Sequence, residues 1–196
     1  MRYFMGIDVG TNETKAVLID EKCEIVAFAS CGHDLLNPQP GFFEHDAEKT
    51  WWGDFCHLSR QLLAESGIDA KDVGCVGLSA LGCDCVPVDA EGTALCNAIL
   101  YGVDSRSHKE IEWLYAYYGK EEAERLYGHE LCSSDIAPKI LWVKNNLPDV
   151  YAKTAKFLTG SSYLCAKLTG KFTIDRYLAE DFAPLYNLTN DTVDEE

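Results

Sequence analysis

Three β-rich, largely apolar runs occupy residues 3–30, and the gaps between them are too short for any crossover connection. Residues 3–9 form the first run, Gly10-Thr11-Asn12-Glu13 turns the chain, residues 15–20 form the second, Glu21-Lys22 turns it again, and residues 24–30 form the third. Connections this short can only return the chain beside itself, so the segment is an antiparallel meander. A loop rich in proline and glycine follows at residues 37–41, and Asp46 then suits the N-cap of a helix reaching about residue 65. Its apolar face carries Trp51, Trp52, Phe55, Leu58, Leu62 and Leu63. Residues 73–78 read as a short buried strand that the intervening helix allows to lie parallel to the meander. The pattern is that of an α/β domain with a mixed sheet.

The second half is mainly helical. Residues 86–89 and 98–100 suggest a hairpin turning at Glu91-Gly92, and Ser107-x-x-Glu110 has the form of a capping box ahead of a helix that Gly119 stops. A short helix is expected around residues 120–126, and another contains Ile136, Ile140, Val143 and Leu147, with Pro148 past its end. Residues 156–158 suit a strand, and Ser161 the cap of a last helix ending at Gly170. The domain is expected to span residues 1–186 and to be incomplete at its C-terminal end, with residues 187–196 an acidic, frayed tail.

Composition narrows the function. Seventeen Lys and Arg against 32 Asp and Glu give a net charge of −15, which argues against nucleic-acid binding. No apolar stretch approaches the roughly 20 residues of a membrane span, and the start reaches Asp8 without a cleavable apolar region, so a cytoplasmic protein is expected. Nine cysteines then read as reduced, mostly buried thiols. Cys83-x-Cys85 is the only close pair and no CxxC accompanies it, so a tight turn is the more economical reading than zinc.

The sharpest chemical signal is residues 6–15, Gly-Ile-Asp-Val-Gly-Thr-Asn-Glu-Thr-Lys. A Walker A loop needs GxxxxGK[ST] between a strand and a helix, whereas here strand follows strand. Such a turn can still hold phosphate. Gly10 lets the backbone approach closely, successive N–H groups form an anion-binding concavity, and the Thr11 and Thr14 hydroxyls can donate. Asp8 at the strand end suits a hydrated Mg²⁺, which takes only one or two protein carboxylates. Lys15 either adds charge near the phosphates or is a solvated strand residue. An ordinary hairpin, with Asp8 and Gly10 merely shaping the turn, fits the spacing equally well.

Later segments add to this. Residues 6–11 (Gly-Ile-Asp-Val-Gly-Thr), 41–46 (Gly-Phe-Phe-Glu-His-Asp) with Trp51-Trp52, and 87–92 (Pro-Val-Asp-Ala-Glu-Gly) occur in order. They are followed by residues 97–106 (Asn-Ala-Ile-Leu-Tyr-Gly-Val-Asp-Ser-Arg), 137–142 (Ala-Pro-Lys-Ile-Leu-Trp) and 157–170. In this ordered set the chain resembles the N-terminal part of the FGGY carbohydrate kinases, xylulokinase-like members of the actin-like ATPase superfamily, over residues 3 to about 187.

The resemblance implies an RNase-H-like domain, its mixed sheet flanked by helices, that faces a second domain holding most of the ATP site. It implies ATP as cosubstrate, Mg²⁺, and transfer of phosphate to a hydroxyl of a ketose or polyol. Asp8 matches the family's metal-associated aspartate, acting through water, and Gly10-Thr11 its phosphate turn, with Thr14 and Lys15 beside it. Asp104 and Arg106 match an Asp-x-Arg element near the sugar, although Asp104 equally suits a helix N-cap. Asp84 is chemically able to bind sugar. The family's general base lies in a Gly-rich motif that this chain lacks, and its ATP-binding half is the expected partner. Residues 80–85 carry neither the Met-His pair of typical xylulokinases nor the Arg-Glu pair of glycerol kinases, which disfavours glycerol. The isolated chain is expected to be inactive, with self-association left open. The alternatives are a non-catalytic sugar- or protein-binding remnant and an ATPase regulator.

Overall fold

The computed structural model describes residues 2–186 and the backbone of residues 187, 192 and 193. The chain opens with β1 (Tyr3–Val9), β2 (Glu13–Asp20) and β3 (Ile25–Gly32), each antiparallel to the one before. A two-residue strand, β4 (Glu44–His45), precedes a wide π-type turn at Ala47–Trp52 that runs into α1 (Gly53–Ser66). Asp46 caps that turn by accepting from the Lys49 N–H at 3.0 Å. Strand β5 (Val73–Ala80) then lies parallel to β1, giving a sheet of order β3-β2-β1-β5.

Alternation along the strands gives the sheet two unlike faces. Met5, Ile7 and Val9 of β1 and Ala16 and Leu18 of β2 point inward with Phe55, Leu58 and Leu62 of α1, forming one core. On the opposite face Phe4, Ile25 and Phe28 are exposed, and no helix covers them among the described residues. Strand β5 is accordingly not the buried strand its apolar sequence suggests. Its residues are exposed or half-buried because only β1 flanks it.

After β5 the chain forms β6 (Val86–Val88), β7 (Ala98–Ile99), α2 (His108–Tyr118), α3 (Lys120–Tyr127), α4 (Ile136–Asn146), α5 (Pro148–Lys153), β8 (Lys156–Leu158), α6 (Gly160–Thr169) and α7 (Arg176–Ala179). The tight turn at Glu91-Gly92 forms, with Gly92 at φ 82°. The expected hairpin forms around it: the Leu95 N–H donates to the Pro87 carbonyl at 2.9 Å, and Cys85 and Ile99 exchange both backbone hydrogen bonds at 2.9 Å. Beyond this pairing, β6 also pairs with β8 and β7 with β4. The expected capping box does not form. The Ser107 side chain makes no cap bond, and Glu110 is buried, accepting from Asn145 Nδ2 on α4 at 3.3 Å. Pro148 opens α5 rather than only ending α4, and Thr159, not Ser161, occupies the N-cap of α6. Helix α6 lies on the inner side of the sheet, with Tyr163 and Leu164 fully buried in its core. Two short strands, β9 (Tyr186–Asn187) and β10 (Thr192–Val193), pair antiparallel. The remaining tail residues, 188–191 and 194–196, lie outside the described residues, and with them the frayed-tail expectation.

All nine cysteines are free, but burial corrects the sequence reading: only Cys85 is fully buried, while Cys23, Cys75 and Cys132 are exposed.

Candidate phosphate turn and sugar-facing cluster

The turn joining β1 to β2 is tight. The Gly10 N–H donates to the Glu13 carbonyl at 3.0 Å, and a Cβ on Gly10 would lie 3.0 Å from that same oxygen, so any side chain there would crowd the turn. The Thr11 and Asn12 N–H groups donate to nothing among the described residues. Asp8, at the end of β1, is exposed and its carboxylate makes no hydrogen bond or ion pair among the described residues. A lone, solvated carboxylate beside free N–H groups fits a hydrated divalent cation.

Thr14 and Lys15 fall on opposite faces. Lys15 stands across from Asp8 in the ladder and pairs with Glu13 at 2.7 Å. That hydrogen bond and charge hold its pKa above the ordinary lysine value. Thr14 points inward with Ala16 and Leu18, is fully buried, and donates its hydroxyl to Asp54 Oδ2 at 2.7 Å. The structure therefore does not bring Thr14 to the turn's outer surface. Period-two alternation already carried that signal, since Thr14 shares a face with the core residues of β2.

Two histidines to which the sequence reading gave no role sit beneath the turn. His33 Nε2 lies 3.0 Å from the Gly10 carbonyl and its Nδ1 2.8 Å from Asp54 Oδ2. His45 is fully buried. Its Nδ1 accepts from the Trp51 indole N–H at 3.0 Å, so the proton sits on Nε2, which donates to the Thr11 carbonyl at 3.1 Å. Burial, then the neighbouring His33, push the His45 pKa down to about 4.

Strand alternation sends the preceding residue, Glu44, the other way. It meets Arg106 Nη2 at 2.9 Å and accepts from Asn97 Nδ2 at 2.9 Å. Arg106 is held on a second side by Asp104, through Nε at 3.0 Å and Nη2 at 2.8 Å, and its guanidinium covers the Phe42 ring at 4.1 Å. Asp104 also accepts from the Phe43 N–H at 2.6 Å and from the Arg106 N–H at 2.9 Å. Both side chains are buried. The pair thus clamps the loop at residues 41–44 onto the segment after β7, and a hollow of about 320 Å³ opens beside it, lined by Gln39, Glu44, Asn97, Arg106 and Trp142.

Asp84 is fully buried, with Oδ1 accepting from the Tyr101 N–H at 3.1 Å and Oδ2 unpartnered. Burial raises its pKa to about 7, against the pull of buried Lys139. Lys139 Nζ donates to the Cys83 carbonyl at 2.6 Å. Asp84 and Lys139 tie together the loops at residues 81–85 and 101–106 and the start of α4. Asp135, at that same start, accepts from the Cys132 N–H at 2.7 Å and pairs with His129 at 2.8 Å, closing the loop that precedes the helix.

Residues 3–196 match the N-terminal domain of the FGGY family of carbohydrate kinases. The chain belongs to that family. This FGGY domain is 28% identical to the xylulose kinase of Bacillus subtilis (strain 168) over 170 residues, which is 87% of the chain and 34% of that enzyme. It is 30% identical to glycerol kinase 1 of Saccharolobus solfataricus over 203 residues, all of the chain and 39% of the relative. Among solved structures, ligand-bound xylulose kinase from Lactobacillus acidophilus superimposes with a TM-score of 0.85 at 25% identity, covering 100% of the chain and 39% of that structure. Plasmodium falciparum glycerol kinase with ADP gives 0.86 at 24% identity, a likeness of fold. The FGGY domain therefore spans little more than a third of the length of these relatives and has the actin-like ATPase fold.

Proposed function

We propose that this chain is the phosphate- and sugar-facing part of an ATP-dependent kinase that phosphorylates a hydroxyl of a ketose or polyol, xylulose-like in class. The observation that carries the reading is the turn at Gly10-Thr11-Asn12, whose Thr11 and Asn12 N–H groups are free beside the unpaired Asp8 carboxylate. Phosphoryl transfer depends mostly on positioning and charge stabilisation, and this turn offers both. Asp8 would hold Mg²⁺ through water; when bound, the ion neutralises charge on the phosphate oxygens. The phosphate is received by the Thr11 and Asn12 N–H groups and the Thr11 hydroxyl, while Gly10, its own N–H held by Glu13, keeps the turn free of a side chain. Lys15 contributes positive charge at the outer face only if it leaves Glu13. Asp104 and Arg106 act by shaping the sugar-facing loops, because their polar atoms already bind one another, and Asp84 joins those loops through Tyr101. The sugar hydroxyl attacks the γ-phosphate, with the base and the ATP-binding half supplied by the portion of the family's length that this chain does not span.

A non-catalytic sugar- or protein-binding role is the second reading. It is favoured by the exposed apolar sheet face at Phe4, Ile25 and Phe28, a surface of the kind a protein partner covers. The two readings separate by assaying ADP release with pentuloses, hexuloses and polyols, for the chain alone and joined to a relative's remaining portion. Turnover restored in the joined protein, and lowered by Asp8→Asn by about 10²-fold or more while the fold persists, supports the kinase. Near-normal turnover of Asp8→Asn would reduce Asp8 to a turn residue, and no turnover in any joined form would favour the binding role.

A further inference from the structure

Three successive carbonyls of the first turn are held from the protein side. Gly10 O faces His33 Nε2 at 3.0 Å, Thr11 O faces His45 Nε2 at 3.1 Å, and Asn12 O accepts the His33 backbone N–H at 3.0 Å. The Gly10–Thr11 and Thr11–Asn12 peptides are trans, and in a trans peptide the C=O and the following N–H point in opposite directions. A ring that holds the carbonyl of one residue from below therefore turns the N–H of the next residue outward.

We propose that His33 and His45 are positioning residues of the phosphate turn, His33 aiming the Thr11 N–H and His45 aiming the Asn12 N–H at the anion. The proposal rests on the phosphate-turn reading above and extends it to two residues that would not touch the substrate. Each ring is itself locked. His45 is fixed as the Nε2–H tautomer by the Trp51 indole, which can only donate. His33 is held at its far nitrogen by Asp54, whose Oδ2 also takes the Thr14 hydroxyl. The rings meet edge to face at 4.9 Å, so neither can rotate without displacing the other. The His45 N–H on the Thr11 carbonyl also polarises that peptide, strengthening the Asn12 N–H at its other end. Buried Thr14 thus serves the turn from beneath, through Asp54 and His33.

The two rings act on different amides, which makes the test specific. The probe is inorganic phosphate titrated into ¹⁵N-labelled chain, read at the Thr11 and Asn12 amide resonances. Both amides should shift in the wild type. His45→Leu should weaken the response about tenfold, the Asn12 amide losing most, because a hydrogen bond to a charged oxygen is lost. His45→Gln should restore binding to within about threefold, since its carboxamide can accept from Trp51 and donate to Thr11 O as the neutral ring does. Should His45→Leu fail to fold, Trp51→Phe removes the indole N–H that locks the tautomer while keeping an aromatic ring in the core. The His45 ring ¹⁵N shifts should then show mixed tautomers, and phosphate affinity should drop severalfold. A wild-type response that His45→Leu leaves intact, or mixed tautomers with unchanged affinity, would overturn the positioning role alone. No shift at either amide in the wild type would overturn the phosphate-turn reading, and the positioning role with it.

Discussion

Two buried residues titrate in opposite senses and should leave separate marks on stability. His45 has its pKa lowered to about 4, so between there and its unfolded value near 6.5 the unfolded chain binds the extra proton. Its contribution is complete above about pH 6.5 and is lost as pH falls toward 4, by about 3 kcal/mol. Asp84 is the reverse: its pKa is raised to about 7, so the folded chain holds the proton while the unfolded chain has released it. Stability from this residue declines as pH rises from about 4 to 7, by roughly 2–4 kcal/mol. Denaturant titrations at several pH values should show Asp84→Asn more stable than wild type at pH 8 and equal to it near pH 4. His45→Gln should flatten the acid limb. An Asp84→Asn variant less stable at pH 8 would mean that this carboxylate's attraction for Lys139 outweighs its burial. Neither shift was legible in the sequence, since both arise from neighbours distant along the chain. The inward turn of Thr14, by contrast, was readable from alternation alone.

At the scale of elements, β4 does more than its two residues suggest. Glu44 reaches the Asp104–Arg106 pair and His45 reaches the turn between β1 and β2, so one short strand couples the two halves of the candidate site. Arg106→Lys removes the planar fork and the cover over Phe42 while keeping the charge. It should cost about 2–4 kcal/mol by denaturant unfolding, close to the value for breaking a buried pair; a change under about 0.5 kcal/mol would show that the clamp is replaceable. Strands β1 to β3, α1 and the stops at Gly119 and Gly170 were legible because turn length, periodicity and glycine placement are local properties. The hairpin turning at Glu91-Gly92 was legible for the same reason, and β8 and β4 add to its arms as longer-range partners that no local pattern announces. The Ser107 capping box failed because Glu110 packs toward Asn145 of α4. Local pattern named the segments. Tertiary neighbours decided what else they touch.

The whole molecule presents an uncovered sheet face. Phe28 is 57% exposed and Ile25 69%, and β5 pairs on one side only. An apolar face beside an open strand edge is a setting for self-association. Light scattering of the purified chain should give a mass that rises with concentration, and Phe28→Lys should reduce it; a concentration-independent monomer would mean that the face is adequately solvated. The cysteines give a second global test. Three equivalents of a thiol reagent should react rapidly, at Cys23, Cys75 and Cys132, and Cys85 only on unfolding. Rapid reaction of Cys85 would show that its helical cover opens readily.

The turn between β1 and β2 also changes how hydrogen-exchange data on this chain should be read. Rapid exchange is ordinarily taken as a sign of a loose backbone. Here the Thr11 and Asn12 protons have no acceptor among the described residues, while the carbonyls around them are all held. They should exchange with solvent almost as fast as in an open peptide, from a turn whose three carbonyls are all tied down. Their order parameters should stay near those of the flanking strands, and fast exchange here would report amides turned out to solvent, not motion.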